Sequence, residues 1–156
     1  MNTRNRLYLA ALAAVAVTTL STSAAAQGGL TVWAGAGGWS QDGSVQLGTE
    51  AKQLGLQLGV PLLPIAVRAD LMTFASTPAT NNVSYNVNAV LRLPLPLVQP
   101  YGIIGRGRYA KTPTEKVEGW NVGAGARFGL GRFGIFGEVR KHDAIGRTVT
   151  VVGLTF

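Results

Sequence analysis

The 156-residue chain contains no cysteine and a single histidine, His142. No disulfide can staple it, no thiol can serve as a nucleophile, and a lone imidazole among scattered carboxylates lacks the ligand spacing of a metal site. Acids are scarce too: 7 Asp and Glu stand against 14 Lys and Arg, a formal net charge of +7. A basic surplus can signal nucleic acid, yet there is no run of Lys and Arg, and the export signature below makes no nucleic-acid partner expected. A G-x-S-x-G nucleophile elbow is also missing. Convincing helical periodicity is absent after the first 26 residues.

What is present begins with those residues. Arg4 and Arg6 precede an apolar stretch from Leu7 to about Leu20, and Ala24, Ala25 and Ala26 precede Gln27. This is the charged, apolar and small-residue order of a cleaved secretory signal. Thr18, Thr19, Ser21, Thr22 and Ser23 interrupt the run that a membrane helix of roughly 20 apolar residues would need. The expected organisation is a signal peptide over 1–26 and one domain over 27–156. Without Arg4 and Arg6, 12 basic residues face 7 acids.

Period-two alternation fills that domain. In "VSYNVNAVLRL", Val83, Tyr85, Val87, Ala89, Leu91 and Leu93 share one face, and Ser84, Asn86, Asn88 and Arg92 the other. Leu54, Leu56, Leu58 and Val60 alternate with Gln53, Gly55, Gln57 and Gly59, and Ile65, Val67, Ala69 and Leu71 oppose Arg68 and Asp70. "PYGIIGRGRY" sets Tyr101, Ile103 and Tyr109 against Arg106 and Arg108. "WNVGAGARFGL" sets Trp120, Val122, Ala124, Ala126 and Phe128 against Asn121 and Arg127. "FGIFGEVRK" and "RTVTVVGLTF" repeat the pattern, with Glu138 and Arg140 opposite Phe133, Ile135 and Val139. "LTVWAGAGGW" is ambiguous, because Leu30, Val32, Ala34 and Ala36 compete with Trp33 and Trp39; Leu30 and Val32 are the expected outward pair. The glycine clusters Gly35–Gly38 and Gly123–Ala126 sit within such strands and not between a strand and a helix, so they are not phosphate-binding loops.

Eight strands return the chain to the side on which it starts. Connections after strands two, four and six are tight ("PLLP", "PLPL", "GLGR"), and those after one, three, five and seven are longer and polar ("SQDGSVQ", "ASTPATNN", "AKTPTEKVEG", "HDAIG"). This alternation predicts an all-β fold, a closed eight-stranded antiparallel up-and-down transmembrane β-barrel. Apolar residues would face lipid, with aromatics near strand ends at Tyr85, Tyr101, Tyr109, Trp120, Phe128, Phe133 and Phe156 forming interfacial girdles. A soluble barrel carrying an apolar ligand has the same periodicity and remains the alternative.

"PYGIIGRGRY", "GWNVGAGARFGL", "FGIFGEVRK" and "TVVGLTF" resemble the later strands of small bacterial outer-membrane β-barrels of the OmpA and OmpX type. The resemblance implies outer-membrane localisation, outer-membrane lipid as surroundings, and a structural or surface-interaction role. It further implies that Val152, Leu154 and Phe156 form a terminal signal read by the barrel-assembly machinery. Small outer-membrane barrels include lipid A deacylases, but His142 is followed by Asp143 and Ala144, so their His-x-Ser arrangement fails and no enzyme or cofactor is expected. His142 reads as a solvated loop residue.

With these faces, the lumen would receive Arg68, Arg92, Arg106, Arg108, Arg127, Arg140 and Arg147 but only Asp70 and Glu138 as acids. Buried unpaired charge is costly, so each acid should be shared among several guanidinium groups. Arg106, Arg108, Arg140 and Arg147 fall towards the loop end, where water or an external anion could reach them.

Overall fold

The computed structural model describes residues 29–60, 63–74, 83–93, 95, 97–110, 115–130 and 133–156. The export segment 1–26 and the connections around Thr80, Thr114 and Gly131 lie outside the described residues. The strands are β1 (Leu30–Gln41), β2 (Ser44–Gly59), β3 (Ile65–Phe74), β4 (Ser84–Arg92), β5 (Val98–Ala110), β6 (Lys116–Leu130), β7 (Phe133–His142) and β8 (Arg147–Thr155). Each pairs antiparallel with the next, and β8 pairs with β1 to close the barrel. Phe156 extends the seam, exchanging backbone hydrogen bonds with Val32 at 2.9 and 3.1 Å. Closure leaves no sheet edge, the condition for placing strands in lipid, where an unpaired backbone group costs several kcal/mol.

Alternation sorts the side chains. On β3, Ala66, Arg68, Asp70 and Met72 are buried while Ile65, Val67, Ala69 and Leu71 are exposed, and on β4 Ser84, Asn86, Asn88 and Val90 are buried between exposed Tyr85, Val87, Ala89 and Leu91. Leu54, Leu56, Leu58, Ile104, Val122, Val139, Val152 and Leu154 continue the exposed apolar belt. The first strand resolves with Leu30 outside and Trp33 inside, 2% exposed. Two apolar clusters flank the polar middle of the lumen. One joins Trp33, Met72, Phe74, Phe136, Val149 and Val151, and the other Ala66, Val90, Tyr101 and Ile103.

Strand β5 reverses the sequence expectation. Tyr101, Ile103 and Tyr109 are buried inside, whereas Arg106 and Arg108 are exposed on the outer wall. Pairing gives the reason, since directly opposed residues share a face. Arg106 opposes Val87 and Trp120, and Arg108 opposes Tyr85 and Glu118, all outward. Crowding enforces it: a Cβ at Gly105 would lie 2.2 Å from both Asn88 Oδ1 and the Val87 carbonyl oxygen, so the inward positions there must be glycine. Tyr101 and Tyr109 therefore leave the expected girdles.

The connections also differ from expectation. β1 and β2 meet in a two-residue turn, Asp42–Gly43, with φ of 48° and 82°, the left-handed pair favoured in tight hairpins. After β7 comes only a 3₁₀ turn, Asp143–Ile145, ended by Gly146 at φ 62°. Between β3 and β4 lie residues 75–83, the longest connection at that end. Length alone thus separates the two ends less sharply than composition does.

Candidate functional site: the charged lumen

The centre of the lumen is an ionic network built by strands from opposite walls. Arg140 Nη1 on β7 donates to Asp70 Oδ1 and Oδ2 on β3 at 3.2 and 3.0 Å. Its Nε donates to Glu138 Oε1 at 3.0 Å, and its Nη2 bonds the same oxygen. Arg68 Nη1 donates to Glu138 Oε2 at 2.6 Å, a distance at which hydrogen bond and ion pair coincide. Two guanidinium groups therefore meet two carboxylates, and all four side chains are buried.

Neutral groups satisfy what remains of these charges. Asn86 and Asn88 donate their Nδ2 groups to Asp70 Oδ1 and Oδ2 at 2.8 and 2.7 Å. Tyr101 donates its hydroxyl to Glu138 Oε2 at 2.8 Å. Gln57 Oε1 accepts from Arg68 Nε and Nη2 at 2.9 and 2.8 Å. The Arg68 guanidinium also lies 4.8 Å from the Trp33 ring and 5.0 Å from the Tyr101 ring. Each buried charge therefore has several partners, which low-dielectric burial demands.

Of the residues expected in the lumen, Arg68, Asp70, Glu138 and Arg140 are brought together. Arg92 and Arg127 are half-buried nearer the turn end, where Arg92 Nη2 donates to the Ile65 carbonyl at 3.3 Å. Arg147 sits at the loop end, its Nε donating to Gln41 Oε1 at 3.0 Å and its guanidinium 4.1 Å from the Trp39 ring. Arg106 and Arg108 are outside; Arg106 stands 3.7 Å from Glu118, both largely exposed. Arg140, expected within reach of an external anion, is fully buried against Asp70 and Glu138. Arg106 and Arg108 thus leave the expected lumen set, Arg68 and Arg140 are met by the two acids, and the other lumen arginines, Arg92, Arg127 and Arg147, stand nearer its two ends. Val152, Leu154 and Phe156 lie on the outer wall, and the Phe156 ring meets Phe133 edge to face at 5.8 Å.

His142 is a second correction. It ends β7 inside the barrel, fully buried, with its ring 5.1 Å from Tyr109 in a T-shaped contact. Neither ring nitrogen has a hydrogen-bond partner among the described residues. Tyr109 instead receives Asn121 Nδ2 at 3.1 Å. The roles of Tyr101 and Tyr109 escaped the sequence reading; the signal for them was the glycine pair Gly105 and Gly107 on their parity.

An apolar belt around a charged lumen is a water-soluble domain turned inside out, the arrangement of a transmembrane β-barrel. No protein-family model matches the chain, and no curated protein matches it. Among solved structures, the chain is similar to the crystal structure of Ail, the attachment invasion locus protein of Yersinia pestis. The identity there is 17% and the TM-score 0.47, over 81% of this chain and 96% of that one. The structure of Ail in complex with the heparin analogue sucrose octasulfate is similar at 13% identity and a TM-score of 0.45, with the same coverage.

Proposed function

We propose that the chain is an integral barrel of the bacterial outer membrane, with a structural or surface-interaction role and not that of a wide porin or an enzyme. One observation carries this reading: a neutral quartet of buried ions crosses the lumen inside an outward-facing apolar belt. A soluble carrier of an apolar ligand would need the opposite distribution. Residues 1–26 act as a cleaved export signal, and Val152, Leu154 and Phe156 present the outward apolar pattern offered to the assembly machinery.

The turns near Leu63 and Leu95 face the periplasm, and the connections at Asp42 and Asp143 the exterior. An anionic partner at the exterior end would meet Arg147 at the mouth and the exposed Arg106 and Arg108 on the wall, a level at which long basic side chains can reach phosphate-bearing headgroups. The cysteine-free sequence makes the test direct. Asp42→Cys and Asp143→Cys should react with a membrane-impermeant maleimide on intact cells, whereas Leu63→Cys and Leu95→Cys should react only after lysis. The protein should require detergent for extraction and migrate differently in SDS before and after boiling. Labelling of Leu95→Cys on intact cells would reverse the orientation, and extraction without detergent would remove the membrane reading.

A further inference from the structure

The turn end of the lumen carries chemistry that the central quartet does not absorb. A cleft there is lined by Arg68, Arg92, Gln99, Tyr101, Arg127 and Thr155, with no carboxylate among its described lining residues. Arg68 is committed to Glu138 and Gln57. Arg92 acts electrostatically on Arg127, and Arg68 on Arg92, so like charges converge on one opening.

Two donors of this cleft stand without partners. Arg127 Nε and Thr155 Oγ1 are both buried and make no hydrogen bond among the described residues, and Thr155 is only 6% exposed. They flank a single point on β7: a Cβ at Gly134 would lie 2.8 Å from Arg127 Nε and 2.6 Å from Thr155 Oγ1. Glycine at 134 keeps a methyl from filling the space between them. A buried donor left unpaired costs stability. A guanidinium fork beside a hydroxyl suits the several acceptor oxygens of an oxyanion better than a single-point acceptor.

We propose that this cleft is a binding site for a small oxyanion of the phosphate class, held by Arg127 and Thr155 with Arg92 supplying further positive charge. Entry from the periplasm rests on the orientation proposed above. Binding itself does not, and it is measured in detergent, so failure of the orientation and failure of the site are distinguishable.

The probe is inorganic phosphate titrated into the folded full-length barrel at constant ionic strength, with sodium chloride as the balancing salt. Amide resonances of Gly134 and Thr155 report the site. Saturable shifts centred on those residues are expected. Arg127→Gln and Thr155→Val should each weaken phosphate binding about tenfold or more, as expected for loss of a charge-assisted or buried hydrogen bond. Lys52→Gln, an exposed cation on the outer face of β2, should leave it unchanged. Heat-dependent migration in SDS checks that each variant is folded, and Thr155→Val carries the comparison if Arg127→Gln does not fold. Shifts that fail to saturate, or folded variants that bind as the unaltered chain does, would overturn the site. A response no greater than that to chloride would overturn the oxyanion assignment.

Discussion

Arg140 on β7 grips both carboxylate oxygens of Asp70 on β3, at 3.2 and 3.0 Å, across the lumen and not along a neighbouring strand pair. Main-chain ladders connect β3 and β7 only the long way round the sheet. The side-chain bond ties the two walls directly and, with Glu138 and Arg68, fills the middle of the barrel with matched charge.

Removing one member of that pair should be far worse than removing both. Asp70→Leu leaves Arg140 with one carboxylate fewer in a buried site and should cost about 3 to 5 kcal/mol. Asp70→Leu combined with Arg140→Met should recover part of that loss. Urea titration of refolding into lipid vesicles, arranged as a double-mutant cycle, measures the coupling. Additive losses would show that the pair is not an energetic unit.

The two faces of β5 make opposite demands. Arg106→Leu, on the exposed wall, should change stability by less than about 0.5 kcal/mol, in the range of ordinary surface substitutions. Gly105→Val, one position away, drives a side chain into Asn88 and the Val87 carbonyl and should prevent folding to the heat-modifiable form. The ratio of folded to unfolded bands in unboiled SDS samples reads both variants. Equal tolerance would return β5 to the opposite register.

On β4, Ala89→Arg places a charge in the outward apolar belt, opposite Val67 and Ile104, and should cost roughly 2 to 4 kcal/mol near mid-membrane. Asn88→Ala removes one donor from Asp70 but leaves Arg140 and Asn86 bound to it, so its cost should stay nearer 1 kcal/mol. Unfolding midpoints in vesicles distinguish the two.

His142→Phe should hold or raise stability. The edge-to-face contact with Tyr109 survives, while two buried ring nitrogens without partners disappear. A loss above about 2 kcal/mol in the same titration would show that an imidazole nitrogen makes a hydrogen bond that Phe cannot replace.

Phe156→Asp tests the assembly reading. Export should continue, while recovery in outer-membrane fractions falls and periplasmic degradation rises. Phe156→Trp, which keeps an aromatic ring against Phe133, should insert normally. Equal recovery of all three chains would reduce Phe156 to one more lipid-facing side chain.

Period-two hydropathy was sufficient by itself to specify the strands, their count and the outward faces of β2, β3, β4, β6, β7 and β8, because an eight-stranded barrel lets each residue point only to lipid or to a narrow lumen. It also brought Arg68, Asp70, Glu138 and Arg140 to one compartment. It could not choose the face of β5, where Tyr101, Ile103 and Tyr109 look more lipid-facing than Arg106 and Arg108. Near a membrane interface a long arginine can reach polar surroundings from the outer wall, so its charge does not determine its side. Register decided instead: opposition to Val87 and Trp120 set Arg106 outside, and the space beside Asn86 and Asn88 admitted only Gly105 and Gly107 inside. The burial of His142 and the exact match of two acids to two guanidinium groups are likewise tertiary facts, since both depend on which side chains from opposite walls meet across the lumen, and nothing local to one strand contains that distance.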